Sequence, residues 1–318
     1  FYYSSPGDRG QNLQQMTLLL LQITFTPVFQ TLWYSGEKGG DRVRLGFGRK
    51  KKNLPAEEGP AAGAPADTTP PRPRLVVSAV SLLGGRNTQQ DALDYRLLPN
   101  GAFAAAVCDG MGGLNGGAEA SRTACDGFLR ACEQALPGDA RDLERIARRL
   151  DGQVAALKGT DGQPLDGGTT IVAVVVKDDR LGWLSVGDSR IGLVRGGELT
   201  WLNRLHNYQL ELDEALQAGE LSPEEYSAEL PRGRALLSYL GCGGLRYVDV
   251  QADLSWTVGD RLILCSDGFY ELMSQPELLD LLMGLENGST DLTRVVLPYL
   301  EAKGKTADNA SAVVIQYQ

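Results

Sequence analysis

Four aspartates stand where an apolar stretch meets a glycine or a turn, a combination that delivers carboxylates to the end of a β-sheet. Asp109 follows one apolar run and opens a glycine-rich loop. Asp188 and Asp267 also follow apolar runs, and Asp308 precedes one. Each of them alone would be an ordinary turn or helix-cap residue. Together, spread from position 109 to position 308, they predict one oxygen-rich metal site assembled by a sheet.

The residue types favour particular metals and exclude others. Carboxylate oxygens are the ligands that the hard cations Mg²⁺ and Mn²⁺ prefer, and both ions keep several waters. A zinc site or a Ser-His-Asp hydrolase is disfavoured because His206 is the only histidine. The five cysteines form no Cys-x-x-Cys pair and most lie in apolar runs, which predicts reduced core residues. They are Cys108, Cys125, Cys132, Cys242 and Cys265.

Charge is divided unevenly along the 318 residues. The formal net charge is −9, yet residues 1–74 hold ten Lys and Arg against six Asp and Glu, which leaves 21 against 34 for the remainder. The acidic remainder argues against nucleic acid as a partner, since that binding depends on neutralising phosphates. An apolar content of 42% is enough for a substantial buried core.

The N-terminal part differs from the rest in composition. Residues 16–34 carry no charge and precede the basic run 49–52, which is typical of a membrane anchor with its cytoplasmic side C-terminal. Pro27 and several polar residues interrupt the stretch, so a disordered or mistranslated leader, or a solvated or lipid-binding basic linker, stays open. The expected division is a segment 1–52, a Pro/Ala/Gly-rich linker 53–73 and a cytoplasmic folded domain 74–318.

The folded domain combines short apolar strands with amphipathic helices. Strands are predicted at 75–83, 92–98, 102–108, 169–177, 182–186, 190–195, 198–202, 246–254, 261–266 and 309–317. Helices are predicted at 118–136, 139–158, 275–285 and 292–303, and the polar, helix-prone segment 206–239 interrupts the strands. Short turns within 169–202 predict an antiparallel meander. The pattern as a whole favours an α+β sandwich of two sheets with helices outside.

Six separated motifs resemble one known family. They are Arg86-x-x-x-Gln90-Asp91, Asp109-Gly110-Met111-Gly112-Gly113, Gly167-Gly168-Thr169-Thr170, Val186-Gly187-Asp188-Ser189-Arg190, Ser266-Asp267-Gly268-Phe269 and Asp308-Asn309. In order and spacing, residues 75–317 resemble the metal-dependent type 2C serine/threonine protein phosphatases, most closely the bacterial members. The resemblance implies a four-layer sandwich of two antiparallel β-sheets flanked on each side by α-helices, with a Mg or Mn centre at one end.

The resemblance also implies roles for individual residues. Two ions are expected, with Asp109 bridging them and the Gly110 carbonyl as a ligand of one. Asp267 and Asp308 are the expected ligands of the other ion, and Asp91 resembles a carboxylate that holds metal-bound water. The positions that match a third ion's ligands are Asp188, Asp267 and Glu271. Arg86 resembles the arginine that binds the substrate phosphate.

The chemistry is consistent with these residue types. Two divalent ions lower the pKa of a shared water, which attacks phosphorus in line without a covalent enzyme intermediate. The bidentate geometry of a guanidinium explains Arg at position 86, where Lys would be a poor substitute. Gln90 is uncharged where other members carry Glu or Gln, and Met111 stands where many eukaryotic members have a histidine proposed as general acid. Water then has to protonate the leaving oxygen, and His206 is expected to be structural.

The function expected from the resemblance is hydrolysis of phosphoserine and phosphothreonine in proteins. A monomeric catalytic domain would oppose a Ser/Thr kinase in bacterial signalling. The alternative is a catalytically inactive scaffold or binding domain of the same fold, which would lack metal ligands. A third interpretation is activity on a regulatory partner of the anti-anti-sigma type, with specificity held in the segment 207–239.

Overall fold

The computed structural model describes residues 31–32 and 74–318, apart from 114–115, 160 and 286–290. Most of the candidate anchor 16–34, the basic run 49–52 and the linker 53–73 therefore lie outside the described residues. Thr31–Leu32 forms a short strand, β1, that pairs with the start of the domain's first strand. Within the described part of the chain, no helix has both the length and the apolarity to cross a bilayer.

Twelve further strands and seven α-helices make up the described domain. The strands are β2 (Leu75–Leu82), β3 (Ala92–Leu97), β4 (Phe103–Cys108), β5 (Gly110–Gly112), β6 (Gly167–Thr169), β7 (Ile171–Lys177), β8 (Arg180–Val186), β9 (Arg190–Arg195), β10 (Glu198–Trp201), β11 (Asp249–Ser255), β12 (Arg261–Cys265) and β13 (Ala310–Tyr317). The helices are α1 (Gly116–Gln134), α2 (Ala140–Ala155), α3 (Tyr208–Ala218), α4 (Pro223–Glu229), α5 (Asp267–Tyr270), α6 (Gln275–Gly284) and α7 (Leu292–Lys303). The predicted elements agree with these bounds to within a few residues.

The strands form two main antiparallel sheets, as expected. The first has the order β1-β2-β13-β12-β9-β10 and the second the order β11-β8-β7-β4-β3. A short ribbon of β5 and β6 extends from the end of β4, and its register pairs Gly110 with Thr169. This ribbon carries the glycine-rich loop that follows Asp109.

Three apolar cores separate four layers and confirm the predicted helix–sheet–sheet–helix order. Alternate residues of β4 point to opposite faces of its sheet. Ala104, Ala106 and Cys108 pack against α1 and α2, while Phe103, Ala105 and Val107 pack against the other sheet. On the far side, β12 and β13 contribute Ile263 and Val314 to a core with α5, α6 and α7. Both sheets are therefore covered by helices on their outer faces.

The predicted meander over 169–202 is wrong at one connection. The pairs β7–β8 and β9–β10 are hairpins, but β8 belongs to the second sheet and β9 to the first. The turn Gly187-Asp188-Ser189 crosses between the layers, with Gly187 at φ +103 and pressed against Thr170. A short connection makes two strands neighbours only if both belong to the same sheet. The left-handed conformation of Gly187 lets the backbone pass from one sheet to the other instead. The crossing places Asp188 at the shared end of both sheets.

The segment 206–239 and the cysteines mostly follow expectation. The segment forms α3 and α4, and Ser222 begins α4 with a capping box to Glu225. All five cysteines are free, and four are buried as predicted. Cys242 differs because it is exposed.

The core between the two sheets yields a stability prediction. Leu262 is fully buried there, so Leu262→Ala should lower the free energy of unfolding by about 2–5 kcal/mol in urea denaturation. Val258→Ala is the matched control, because Val258 is 62% exposed and its truncation should change stability by less than about 0.5 kcal/mol. Equal effects of the two substitutions would contradict this layer assignment.

Candidate metal centre

A polar cleft of about 260 Å³ lies at the end of the sandwich where β4 and β12 finish and β13 begins. It brings together the four strand-end aspartates that the sequence singled out, together with Arg86 and Gly110. The lining residues are Arg86, Gln90, Asp109, Gly110, Met111, Gly112, Thr170, Asp188, Leu236, Asp267, Asp308 and Asn309. Asp91 and Glu271, also predicted as site residues, do not line it.

Asp109 is fixed by its backbone. Its N–H donates to the Thr170 hydroxyl at 3.0 Å, and its carbonyl accepts from the Thr169 hydroxyl and the Thr170 N–H at 2.9 Å each. Gly110 follows in a space without room for a side chain, since a Cβ there would lie 2.2 Å from the Gly117 carbonyl oxygen. The first turn of α1 thus packs directly on the loop and leaves Asp109 little freedom.

Asp267 and Asp308 are brought together by a close backbone approach. Asp267 opens α5 immediately after β12, and Asp308 immediately precedes Asn309 and β13. A Cβ on Gly268 would lie 2.0 Å from the Asn309 carbonyl oxygen, so only glycine allows this contact. The Asn309 side chain donates to the Leu83 carbonyl at 2.8 Å and accepts from the Gln90 N–H at 2.9 Å. This asparagine therefore ties the start of β13 to the segment that carries Arg86 and Gln90.

Asp91 lies buried beside the cleft. One carboxylate oxygen accepts from the Ser266 hydroxyl at 3.0 Å, and the other is buried without a hydrogen-bond partner. Burial raises the pKa of Asp91 to about 7, with the nearby Asp267 and Asp308 adding to the shift and hydrogen bonds from Ser311 and Ser266 opposing it. An orphaned carboxylate oxygen at this position is suited to accepting from a water held by a cation.

The pKa values of Asp109 and Asp188 are raised in the same way. Burial raises the pKa of Asp109 well above its ordinary value, and repulsion from Asp91 and Asp267 adds to it. Burial and Asp267 raise the pKa of Asp188 to about 7. Several acidic groups share a confined volume, so bound cations would offset their charge. The donor set therefore fits Mg²⁺ or Mn²⁺.

The acidic side chains of the cleft do not converge on a common point as the ligands of one ion would. Within the described ranges, no three His, Cys, Asp or Glu side chains meet at the spacing of one ion's ligands. Arg86 pairs instead with Asp308, its Nη2 lying 2.5 Å from Oδ2. Asp308 is thus engaged by the arginine that the resemblance assigns to phosphate.

Glu271 is engaged by a second arginine that sequence reasoning missed. Arg234 Nη2 lies 2.7 Å from Glu271 Oε1, and the positive charge of Arg234 opposes the rise in the pKa of Asp188. The Tyr270 hydroxyl donates to the Asp188 carbonyl at 3.1 Å and so joins α5 to the crossing turn. Of the three predicted third-ion ligands, Asp188 and Asp267 line the cleft while Glu271 is held at its edge. Nothing in the sequence around Arg234 signals this role.

Thr170 at the wall of the cleft, and Ser266 and His206 behind it, support the carboxylates. Ser266 orients Asp91, and the Thr170 hydroxyl lies 2.7 Å from that of Ser189 as well as accepting from Asp109. Both Ser266 and Thr170 lie inside the motifs, which is the signal that could have identified them. His206 is fully buried, and its Nδ1 accepts from the Gly187 N–H at 3.2 Å. It therefore supports the turn of Asp188, in keeping with a structural role.

Comparisons with known proteins cover every residue that lines the cleft except Asn309. The family model described as protein phosphatase 2C matches residues 84–308. The protein phosphatase PhpP of Streptococcus pneumoniae is 28% identical over 214 residues, which are 65% of this chain and 84% of PhpP. The serine/threonine protein phosphatase PstP of Mycobacterium tuberculosis is 29% identical over 219 residues, which are 67% of this chain and 40% of PstP.

Solved structures share the fold. A crystal structure of the Mycobacterium tuberculosis serine/threonine phosphatase PstP/Ppp matches with a TM-score of 0.63 at 25% identity, covering 76% of this chain and 98% of that one. The S. agalactiae serine/threonine phosphatase matches with a TM-score of 0.62 at 23% identity, covering 76% and 99%. These likenesses agree with the sandwich built above from its cores.

The raised pKa of Asp188 predicts a pH dependence of stability in the metal-free protein. The folded state holds this proton more tightly than the unfolded chain, so the stabilisation is complete below the ordinary carboxyl pKa and is lost as the pH rises through about 7. Asp188→Asn should therefore remove part of the fall in unfolding free energy between pH 5 and pH 8. At pH 8 the free energy of unfolding of Asp188→Asn should have gained about 1 kcal/mol or more relative to the wild type.

Urea denaturation of the full chain in EDTA measures this effect. Asp280→Asn, at an exposed position of α6, is the control and should keep the wild-type slope. If Asp188→Asn keeps the wild-type pH dependence of the unfolding free energy, then Asp188 is not the group whose raised pKa causes it.

Proposed function

The chain belongs to the protein phosphatase 2C family, and from this premise we propose that its cleft hydrolyses phosphoserine and phosphothreonine in proteins at a centre of two Mg²⁺ or Mn²⁺ ions. One observation carries the proposal. Asp109, Asp188, Asp267 and Asp308 line a single cleft together with Arg86, although they are far apart in the chain. Carboxylates raised in pKa by burial beside a guanidinium suit a site that binds cations and an oxyanion.

The ions would be held by Asp109, the Gly110 carbonyl, Asp267 and Asp308, with Asp91 behind them. When bound, they supply charge neutralisation and a water acidified for attack on phosphorus. Ser266 keeps one oxygen of Asp91 engaged and leaves the other free to orient that water. Thr169 and Thr170 fix the backbone of Asp109, so this carboxylate does not have to be reorganised during the reaction.

Arg86 would bind the phosphate through its planar guanidinium. Its side chain is 59% exposed and pairs with Asp308, so it reaches a phosphate by exchanging one anionic partner for another. Met111 lines the cleft but carries no transferable proton, and the proton for the leaving oxygen then comes from solvent. These assignments leave no nucleophile for a phosphoenzyme.

A third ion at Asp188, Asp267 and Glu271 remains part of the proposal. An ion there would compete with Arg234 for the Glu271 carboxylate, since the guanidinium lies 2.7 Å from its Oε1. Support for the number of principal ions comes from the same fold elsewhere: one solved structure of PstP, at 24% identity and with a TM-score of 0.61, is described in complex with two manganese ions.

The partners proposed are phosphorylated proteins in a pathway driven by a Ser/Thr kinase. The relatives PhpP and PstP carry names of protein phosphatases, which supports this substrate class. We also propose that the catalytic domain is monomeric and cytoplasmic, and that residues 16–34 associate it with a membrane. Fractionation of cells that express the full chain tests the latter, and absence of the chain from membranes would reject the anchor.

Metal-dependent hydrolysis is the direct test. The full chain should hydrolyse a phosphothreonine peptide with Mn²⁺ or Mg²⁺ and lose this activity in EDTA. Asp109→Ala should lower kcat by about 10³-fold or more, because the residue proposed to bridge both ions is removed. An inactive scaffold of the same fold would show no metal-dependent turnover in the wild type, and that result would reject the proposal.

The proposed phosphate contact predicts a graded series at position 86. Arg86→Ala should lower kcat/KM by about 10²-fold, mainly through KM, and Arg86→Lys should restore only part of it because an ammonium cannot make the bidentate contact. Arg96→Ala is the control, since this arginine pairs with Asp94 away from the cleft. Wild-type kinetics for Arg86→Ala would remove Arg86 from the site.

A further inference from the structure

The turn 240–243 extends the β5–β6 ribbon that carries the proposed metal loop. Leu240 and Thr169 exchange two backbone hydrogen bonds, of 2.8 and 3.0 Å, so the turn adds a short third strand beside β6. Leu240 is fully buried at this contact. The Tyr239 ring packs on Gly168, where a Cβ would lie 2.6 Å from Tyr239 Cδ2. The ribbon is thus supported along one edge by a segment that does not itself line the cleft.

Asp151 holds this turn from the outer helical layer. It lies on α2, is 6% exposed, and its Oδ1 accepts from the Gly241 N–H at 2.8 Å and the Gly243 N–H at 3.2 Å. Both glycines adopt left-handed backbone angles, with φ of +103 and +73. No ion pair to Asp151 occurs among the described residues. The carboxylate is therefore used as a backbone acceptor, which is a strong interaction when buried.

A continuous path of hydrogen bonds connects this acceptor to the proposed site. From Asp151 it runs through the turn to Leu240 and then across the two backbone bonds to Thr169. The Thr169 hydroxyl donates to the Asp109 carbonyl at 2.9 Å, and Thr169 is the register partner of Gly110. Asp109 and Gly110 are two of the four residues that the proposed function assigns to the ions. Displacement of the turn would be transmitted to them through backbone hydrogen bonds and through one short, fully buried side chain, that of Thr169.

We propose that Asp151 is a positioning residue for the metal centre: by fixing the turn 240–243 it sets the backbone of Asp109 and Gly110 and so the affinity for the ions. The inference rests on the proposed function, and it assigns Asp151 no contact with substrate or ion. Residues that orient metal ligands indirectly change metal affinity by about 10–100-fold when they are removed. For Asp151, which acts through one further strand, about tenfold is expected.

Two variants and a matched control test this role in the full chain. Asp151→Ala removes the acceptor, whereas Asp151→Asn keeps an oxygen that can accept from both glycines. Asp260→Ala is the control, because Asp260 is 2% exposed and likewise holds a turn, through the Thr257 N–H at 2.8 Å, but at the opposite end of β12 from Asp267. Both Ala variants should lose stability.

Mn²⁺ binding, measured without substrate by calorimetry well below each variant's melting temperature, separates the two roles. Asp151→Ala should bind Mn²⁺ about tenfold more weakly than the wild type, Asp151→Asn should be close to wild type, and Asp260→Ala should be unchanged. Equal affinities for Asp151→Ala and the wild type would overturn the inference and leave the proposed function intact. Absence of Mn²⁺ binding by the wild type would instead overturn both.

The thiol reactivity of Cys242 reports independently on whether the turn 240–243 is held in place. This residue lies between the two glycines and is exposed, while the four other cysteines are buried. Its rate of reaction with a thiol reagent such as DTNB should rise several-fold in Asp151→Ala and stay near the wild-type rate in Asp260→Ala. An unchanged rate in Asp151→Ala would show that the carboxylate does not hold the turn.

Discussion

Burial of several carboxylates at one end of the sandwich is the constraint on which the site depends. Burial raises the pKa of Asp91, Asp109 and Asp188, and repulsion from neighbouring carboxylates, Asp267 among them in each case, adds to the shift. The bare site therefore binds protons above the ordinary pH range of a carboxyl group. Such an arrangement costs folding free energy, and the rest of the domain has to hold it in place. The three apolar cores supply that rigidity, because each sheet is packed on both faces.

The backbone, more than side-chain packing, sets where the carboxylates sit. Gly110 against Gly117 and Gly268 against Asn309 are approaches too close for any side chain. Asp109 is then fixed on both sides, because its N–H donates to the Thr170 hydroxyl and its carbonyl accepts from the Thr169 hydroxyl. Carboxylates carried on such turns have few alternative backbone positions, and since no three acidic side chains of the described residues converge on one point, an ion would require them to move. The glycine-rich character of the motifs has this physical origin.

The fold was predictable from sequence because its strands are either apolar on both faces or alternate between apolar and polar residues, and turn residues mark their ends. The cluster was predictable because the same construction recurs before Asp109 and Asp267. The layer crossing at Gly187 was not, since a three-residue turn has the same appearance whether the next strand joins the same sheet or the other one. The partners of Arg86, Arg234 and Asp151 also escaped, because charge pairing and turn capping across the fold leave no local pattern. Sequence reasoning therefore predicted that the four strand-end aspartates meet in one cleft, but not which side chains they contact.

The two arginines at the cleft face the same competition. Arg86 holds Asp308 and Arg234 holds Glu271, and both carboxylates are more exposed than Asp91. The guanidinium groups thus neutralise the outer carboxylates, and among the described residues no ion pair is made by Asp91, Asp109 or Asp188. Arg86 cannot offer the same donors to Asp308 and to a phosphate. The phosphate contact proposed for Arg86 therefore competes with Asp308 for Nη2, and a cation held by Asp308 would weaken that competition.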